Sequence, residues 1–77
     1  MTRAEFYDEI AEILECDSSE VTGAALLNDL PNWDSLAVLS FLVMVDTRLG
    51  ATVQGNQLKK CITVDDLVRL LPGKIED

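Results

Sequence analysis

The sequence predicts a small all-α domain, a four-helix bundle of three main helices and one short one. Three observations predict it. Helix-start signals recur along the chain: Thr2 with Glu5 three residues on, Asp34 ahead of Ser35, and Thr63 ahead of Val64. Between them, apolar residues return at intervals of three and four. The one long apolar run, Leu36 to Val45, has no second run of its kind to pair with. As a central strand it would leave its backbone donors and acceptors unsatisfied, so a helix is the better reading. Seventy-seven residues make one domain, taken as residues 1–77, and an apolar content of 48% is enough for one core. With four aromatics (Phe6, Tyr7, Trp33 and Phe41), aliphatic side chains do most of the filling.

The first helix opens on the capping-box spacing of Thr2 and Glu5. Phe6, Ile10, Ile13 and Leu14 follow at helical intervals, while Glu5, Asp8, Glu9, Glu12 and Glu15 fall mainly elsewhere. This is an amphipathic helix reaching about Glu15. Cys16-Asp17-Ser18-Ser19 turns the chain into a long irregular connection that must still bury Val21, Ala25, Leu26, Leu27 and Leu30. Pro31 closes any short helical turn ending near Asn28 or Asp29, because the residue before a proline is pushed out of helical angles.

The second helix spans Ser35 to Leu49, with Asp34 as N-cap and Gly50 just past the end. Ten of its fifteen residues are apolar, too many for one buried face. Such a helix is central, or it offers a spare face to a partner. The apolar run is also far short of the roughly 20 residues that cross a bilayer. Trp33 at N′ and Val38 at N4 have hydrophobic-staple spacing, with a docking role for Trp33 as the alternative.

After a loop over 51–56, Gln57 to Cys61 reads as one helical turn with Leu58 and Cys61 on one side. Thr63 caps the last helix, Val64 to Leu71, which places Asp65 and Asp66 in its positive first turn and buries Val64, Leu67, Val68 and Leu71. Pro72-Gly73 ends it, and Lys74 to Asp77 is expected to fray.

Fourteen acids against six basic residues give a net charge of -8, and from Ala4 to Thr47 there are ten acids and no Lys or Arg. That field repels nucleic acid and anionic membrane surfaces and steers in a basic protein surface. The N-terminus lacks the basic-then-apolar start of a signal peptide, so a cytoplasmic location is expected, with Cys16 and Cys61 as reduced thiols. No histidine is present. This removes the usual general base and any Ser-His-Asp or Cys-His arrangement, and two thiols alone make a poor metal site. Neither a catalytic residue nor a metal ligand is expected.

The chain does offer a hydroxyl, Ser35, at a helix N-terminus, where unpaired backbone N–H groups and the helix dipole favour an anion such as a phosphodiester. Trp33-Asp34-Ser35-Leu36, together with Glu20-Val21-Thr22 upstream and Ile62-Thr63-Val64-Asp65-Asp66-Leu67 downstream, resembles the acyl and peptidyl carrier proteins over nearly the whole chain. Ser18, Ser19 and Ser40 lack the Asp-Ser-Leu setting.

The resemblance implies the acyl-carrier-protein fold and a covalent 4′-phosphopantetheine on Ser35, moved from coenzyme A by a phosphopantetheinyl transferase. Asp34 and Leu36 flank that site, with Asp34 helping to position the Mg²⁺ of the transfer. It further implies acyl- or aminoacyl-loading and pathway enzymes as partners. Many fatty-acid carriers have acids just after Asp-Ser-Leu and along the following helix. Here the docking positions, with Trp33, are Ala37, Ser40, Val43 and Asp46, beside Thr47, and only Asp46 is acidic. Docking should therefore rest on apolar contact, in a dedicated lipid, polyketide or peptide pathway. A monomer is expected. The alternative is an unmodified interaction domain that binds a partner or itself through the apolar helix.

Overall fold

The computed structural model describes residues 1–76 and bears out the all-α bundle. Four α-helices follow one another: α1 (Arg3–Leu14), α2 (Ser35–Met44), α3 (Gly55–Lys59) and α4 (Val64–Arg69). Among the described residues there is no strand, only two isolated bridges. Each main helix starts where the local chemistry places it. At α1, the Glu5 amide donates to the Thr2 hydroxyl at 3.1 Å while the Thr2 amide donates to the Glu5 carboxylate at 2.9 Å. At α4, Asp66 donates from its amide to the Thr63 hydroxyl and accepts from the Thr63 amide. These reciprocal pairs satisfy amides that the helix itself cannot.

Helix ends needed adjustment. Glu15 caps α1 in the left-handed region, at φ 56°, so the helix stops one residue earlier than expected. The second helix does run to Leu49, but Val45–Leu49 winds as one wider π-turn before Gly50 at φ 62°. No Pro or Gly in those residues marks the change. The short helix begins at Gly55 rather than Gln57, with the Gln54 amide donating to the Gln57 side chain at 3.0 Å. The last helix tightens after Arg69, where the Leu70 and Leu71 amides reach back only three residues to the carbonyls of Leu67 and Val68.

The core is aliphatic around a pair of rings. Phe41 on α2 is fully buried, with Phe6 of α1 edge-on at 5.9 Å and Trp33 edge-on at 6.2 Å. Ile10 and Leu14 of α1, and Val64, Leu67 and Leu71 near α4, belong to the same core.

The long connection before α2 is docked rather than loose. It contains two 3₁₀ turns, Ser18–Glu20 and Leu27–Asp29, and buries Val21, Leu27 and Leu30. Its backbone is also tied to the approach to α4. The Leu27 amide donates to the Ile62 carbonyl at 2.8 Å, the Val64 amide to Ala25 at 3.1 Å, and the Asp65 amide to Gly23 at 2.9 Å. A side chain at residue 23 would meet the Asp65 carboxylate at 2.5 Å, so that carboxylate would have to move to admit one. Leu26 departs from expectation. It is 44% exposed, because the backbone pairing that buries Leu27 turns its neighbour outward.

The C-terminal expectation is corrected for Lys74 to Glu76. The Glu76 amide donates to the Met1 carbonyl at 2.8 Å, the Arg3 amide returns to the Glu76 carbonyl at 2.7 Å, and Ile75 packs on the core. The segment is pinned to the start of α1. Asp77 lies outside the described residues.

Candidate functional site

Asp34 leaves the extended loop (φ -129°, ψ -171°) and caps α2, its Oδ1 accepting from the Ala37 amide at 3.0 Å and its carbonyl from the Val38 amide at 2.9 Å. Ser35 is the first helical residue, and its side chain is exposed. The amides of Ser35 and Leu36 have no carbonyl inside the helix to reach, so the hydroxyl stands at the positive end of the helix dipole. The loop is steered there by Asn32, at φ 62°, whose side-chain amide donates to the Leu14 carbonyl at 2.8 Å. The left-handed region tolerates asparagine better than most residues.

One contrast with the other main helices matters. The third helical position holds Glu5 in α1 and Asp66 in α4, but Ala37 in α2. α2 therefore lacks the reciprocal pair and is capped by the Asp34 side chain alone.

Two clefts flank the serine. On the α3 side, a cleft of about 310 Å³ is lined by Ser35 itself with Trp33, Val38, Leu58, Lys59 and Cys61. On the α1 side, one of about 370 Å³ is lined by Asp34, Leu36, Asn32, Ile13, Leu14 and Glu15. Lys59 is the residue that sequence reasoning missed. It lies 24 positions beyond Ser35, and only the fold brings a cation to the serine's cleft. Cys61 shares that cleft as a free thiol, pushed above its ordinary pKa by burial and then by the Asp66 charge. Burial, followed by the Glu20 charge, also raises Cys16. Both shifts favour the protonated thiol over the thiolate.

The expected docking residues divide. Val43 is 57% exposed and Asp46 is exposed, while Ser40 is half-buried. Trp33 is half-buried as well; its ring packs edge-on against Phe41 and shares a cleft lining with Val38. Ala37 is corrected. At 5% exposure it faces the core, because the rotation that buries Phe41 four residues on buries Ala37 with it. The outer stripe is instead Leu36, 71% exposed, with Leu39 and Val43, each 57% exposed. The spacing of Leu36, Leu39 and Val43 would have revealed Leu39 once Phe41 was fixed as the inward residue.

Among the described residues no cluster of acids, thiols or imidazoles could hold a metal ion, and no helix is long and apolar enough to cross a membrane. No family model matches the chain. A relative does. The acyl carrier protein of Petrotoga mobilis (strain DSM 10674 / SJ95) is 32% identical over 79 aligned positions, which span 97% of this chain and 93% of the relative. With the helical bundle and the exposed serine at the head of α2, that likeness places the chain in the acyl carrier protein family.

Proposed function

We propose that Ser35 is the attachment point of a 4′-phosphopantetheine arm, transferred from coenzyme A by a phosphopantetheinyl transferase. The observation that carries this reading is the exposed hydroxyl at the first position of α2, with open helix-end amides beneath it and Lys59 on the wall of its cleft. A phosphodiester there faces the positive end of the helix dipole and the cleft that Lys59 lines. When bound, the arm supplies a terminal thiol that carries acyl or aminoacyl groups as thioesters. The chain's own part is presentation: Asp34 holds the helix start and would help position the Mg²⁺ used in the transfer, Leu36 flanks the attachment point, and the bundle forms the base.

Loading and pathway enzymes then meet α2 near Trp33, Ser40, Val43 and Asp46. Because apolar side chains dominate its outer face, the carrier serves a dedicated lipid, polyketide or peptide pathway in the cytoplasm, and residues 1–77 act as one carrier domain. The exposed stripe also favours a second reading, an unmodified interaction domain using the same helix. Mass spectrometry separates the two. After incubation with coenzyme A and a broad-specificity transferase, one added arm is expected, absent in Ser35→Ala. Unchanged mass in the native chain supports the interaction domain.

A further inference from the structure

The sign of the surface changes on one side of Ser35. From Thr47 to Val64 the chain holds no Asp or Glu, and its charged residues there are Arg48, Lys59 and Lys60. All fourteen acids lie in the remaining residues. Arg48 is paired with Glu9, whereas Lys59 and Lys60 are exposed and form no salt bridge among the described residues. Among those residues Lys59 is also the only charged group lining the cleft it shares with Ser35, while the cleft on the other side of the serine carries Asp34 and Glu15. A partner that reaches the serine over α3 meets cations, and one that comes over α1 meets acids.

Beside the two lysines stands an apolar side chain that the core does not use. Ile62 is 66% exposed, and its backbone is fixed from both sides: its amide donates to the Asp66 carboxylate at 2.9 Å, and its carbonyl accepts from the Leu27 amide at 2.8 Å. The amides of Lys60 and Cys61 reach back to the carbonyls of Gln57 and Leu58, which holds the corner as a continuation of α3. Asp66, the acid that touches this corner, is half-buried and paired with Arg69, so its charge is already balanced.

Two exposed cations beside one exposed apolar side chain have a chemical complement, an apolar residue flanked by Asp or Glu. Nucleic acid, an anionic lipid surface and a second copy of the chain are poor occupants, because each spreads negative charge against a molecule of net charge -8. A short acidic segment is different. Within a screening length of about 8 Å it senses the local lysines more than the distant acids.

We propose that the corner formed by Lys59, Lys60 and Ile62 selects partners by reversed charge, admitting an enzyme that presents an acidic segment with one apolar side chain beside Ser35 and rejecting one that is basic there. The inference rests on the carrier reading only for the partner's being an enzyme that works at Ser35. Between Ala4 and Thr47 the ten acids draw in basic surfaces without distinction, so telling those surfaces apart needs a region of opposite sign. The two lysines supply it where the serine is approached, because like charges set face to face are strongly unfavourable.

The test uses the whole chain and two synthetic peptides, one with a leucine between glutamates and one with the same leucine between lysines. Backbone amide shifts are followed by NMR, with thermal melting and sedimentation on the same samples. The glutamate peptide is expected to move Lys59, Lys60, Cys61 and Ile62, and to bind less tightly as salt is raised. Its affinity should fall about fivefold in the double variant Lys59→Gln, Lys60→Gln and about threefold in Ile62→Thr, with melting unchanged in both. The lysine peptide should leave this corner unmoved.

Absence of binding, shifts centred on α1, undiminished affinity in the double lysine variant, or lysine-peptide shifts at Lys59 to Ile62 each overturn the proposal. So does a dimer of the free chain that Lys60→Glu dissolves, which would make a second copy the occupant. Arm loading of Ser35 in the parent chain is read by mass in parallel. If the parent takes the arm but ignores the glutamate peptide, this inference alone fails; if it binds the peptide and takes no arm, only the carrier reading fails.

Discussion

α1 and α2 lie against one core, joined by the Phe6–Phe41 ring contact, yet their outer faces are made differently. α1 buries Phe6, Ile10, Ala11 and Leu14 and shows solvent Glu5, Asp8 and Glu12. α2 buries Ala37, Phe41 and Met44 and shows solvent Leu36, Leu39 and Val43. Folding accounts for the whole of α1, since an apolar stripe inward and acids outward is what a soluble bundle asks of a helix. It accounts for only half of α2. Its exposed leucines add nothing to the core, and a face of that kind is what the proposed docking of partners would use.

The largest effect should therefore follow the inward residue. Phe41→Ala should cost about 3 to 5 kcal/mol, enough to leave a domain this small largely unfolded. Leu39→Ala, two residues earlier on the outer face, should stay within about 0.5 kcal/mol. Urea denaturation of both variants checks this. A comparable loss in Leu39→Ala would mean that the outer stripe is part of the core, and the contrast between the helices would disappear.

The caps sharpen the same contrast at intermediate size. Thr2→Ala and Asp34→Ala each remove an N-cap side-chain bond and should each cost about 1 kcal/mol, read as a fall in melting temperature. Their effects on function should differ. Asp34→Ala should also slow arm transfer to Ser35, while Thr2→Ala should leave the initial rate near that of the parent. If both slow transfer alike, the rate reports overall stability and Asp34 has no separate part at the site.

These cases also show how far the sequence could be read. Thr2, Asp34 and Thr63 declared their helices because capping is chemistry between residues three apart, and the place of Ser35 at the exposed head of α2 was legible from the Asp34 cap beside it. Errors arose where the answer depends on which way a helix is rotated. Ala37 was placed outside and Leu39 overlooked, although both follow from Phe41 pointing inward. Leu26 was counted as core because only the pairing of its strand-like backbone with residue 63 turns it outward. Lys59 beside Ser35 and the tether of Ile75 and Glu76 to Met1 and Arg3 are long-range meetings that no local pattern records. The π-turn over Val45–Leu49 has no local signal, and its Arg48 is held from α1.

The helix starts differ in one further way that can be titrated, and the effect is the smallest. Asp66, at the third position of α4, accepts from the Ile62 amide at 2.9 Å and the Thr63 amide at 3.1 Å. These bonds, Ile62 first, hold its carboxyl below the usual range, with the Arg69 charge acting in the same direction. A carboxyl whose folded pKa is depressed contributes stability above its unfolded value, near 3.9, and loses it as the pH falls through the folded value. Asp66→Ala should therefore melt below the parent at pH 7, with the gap closing as both are taken toward pH 2. α2 has Ala37 at the equivalent position, so Ala37→Ser should show no such closing gap. A constant difference for Asp66→Ala across that range would mean that the carboxylate acts through packing rather than through its charge. The two helix starts would then differ in shape alone.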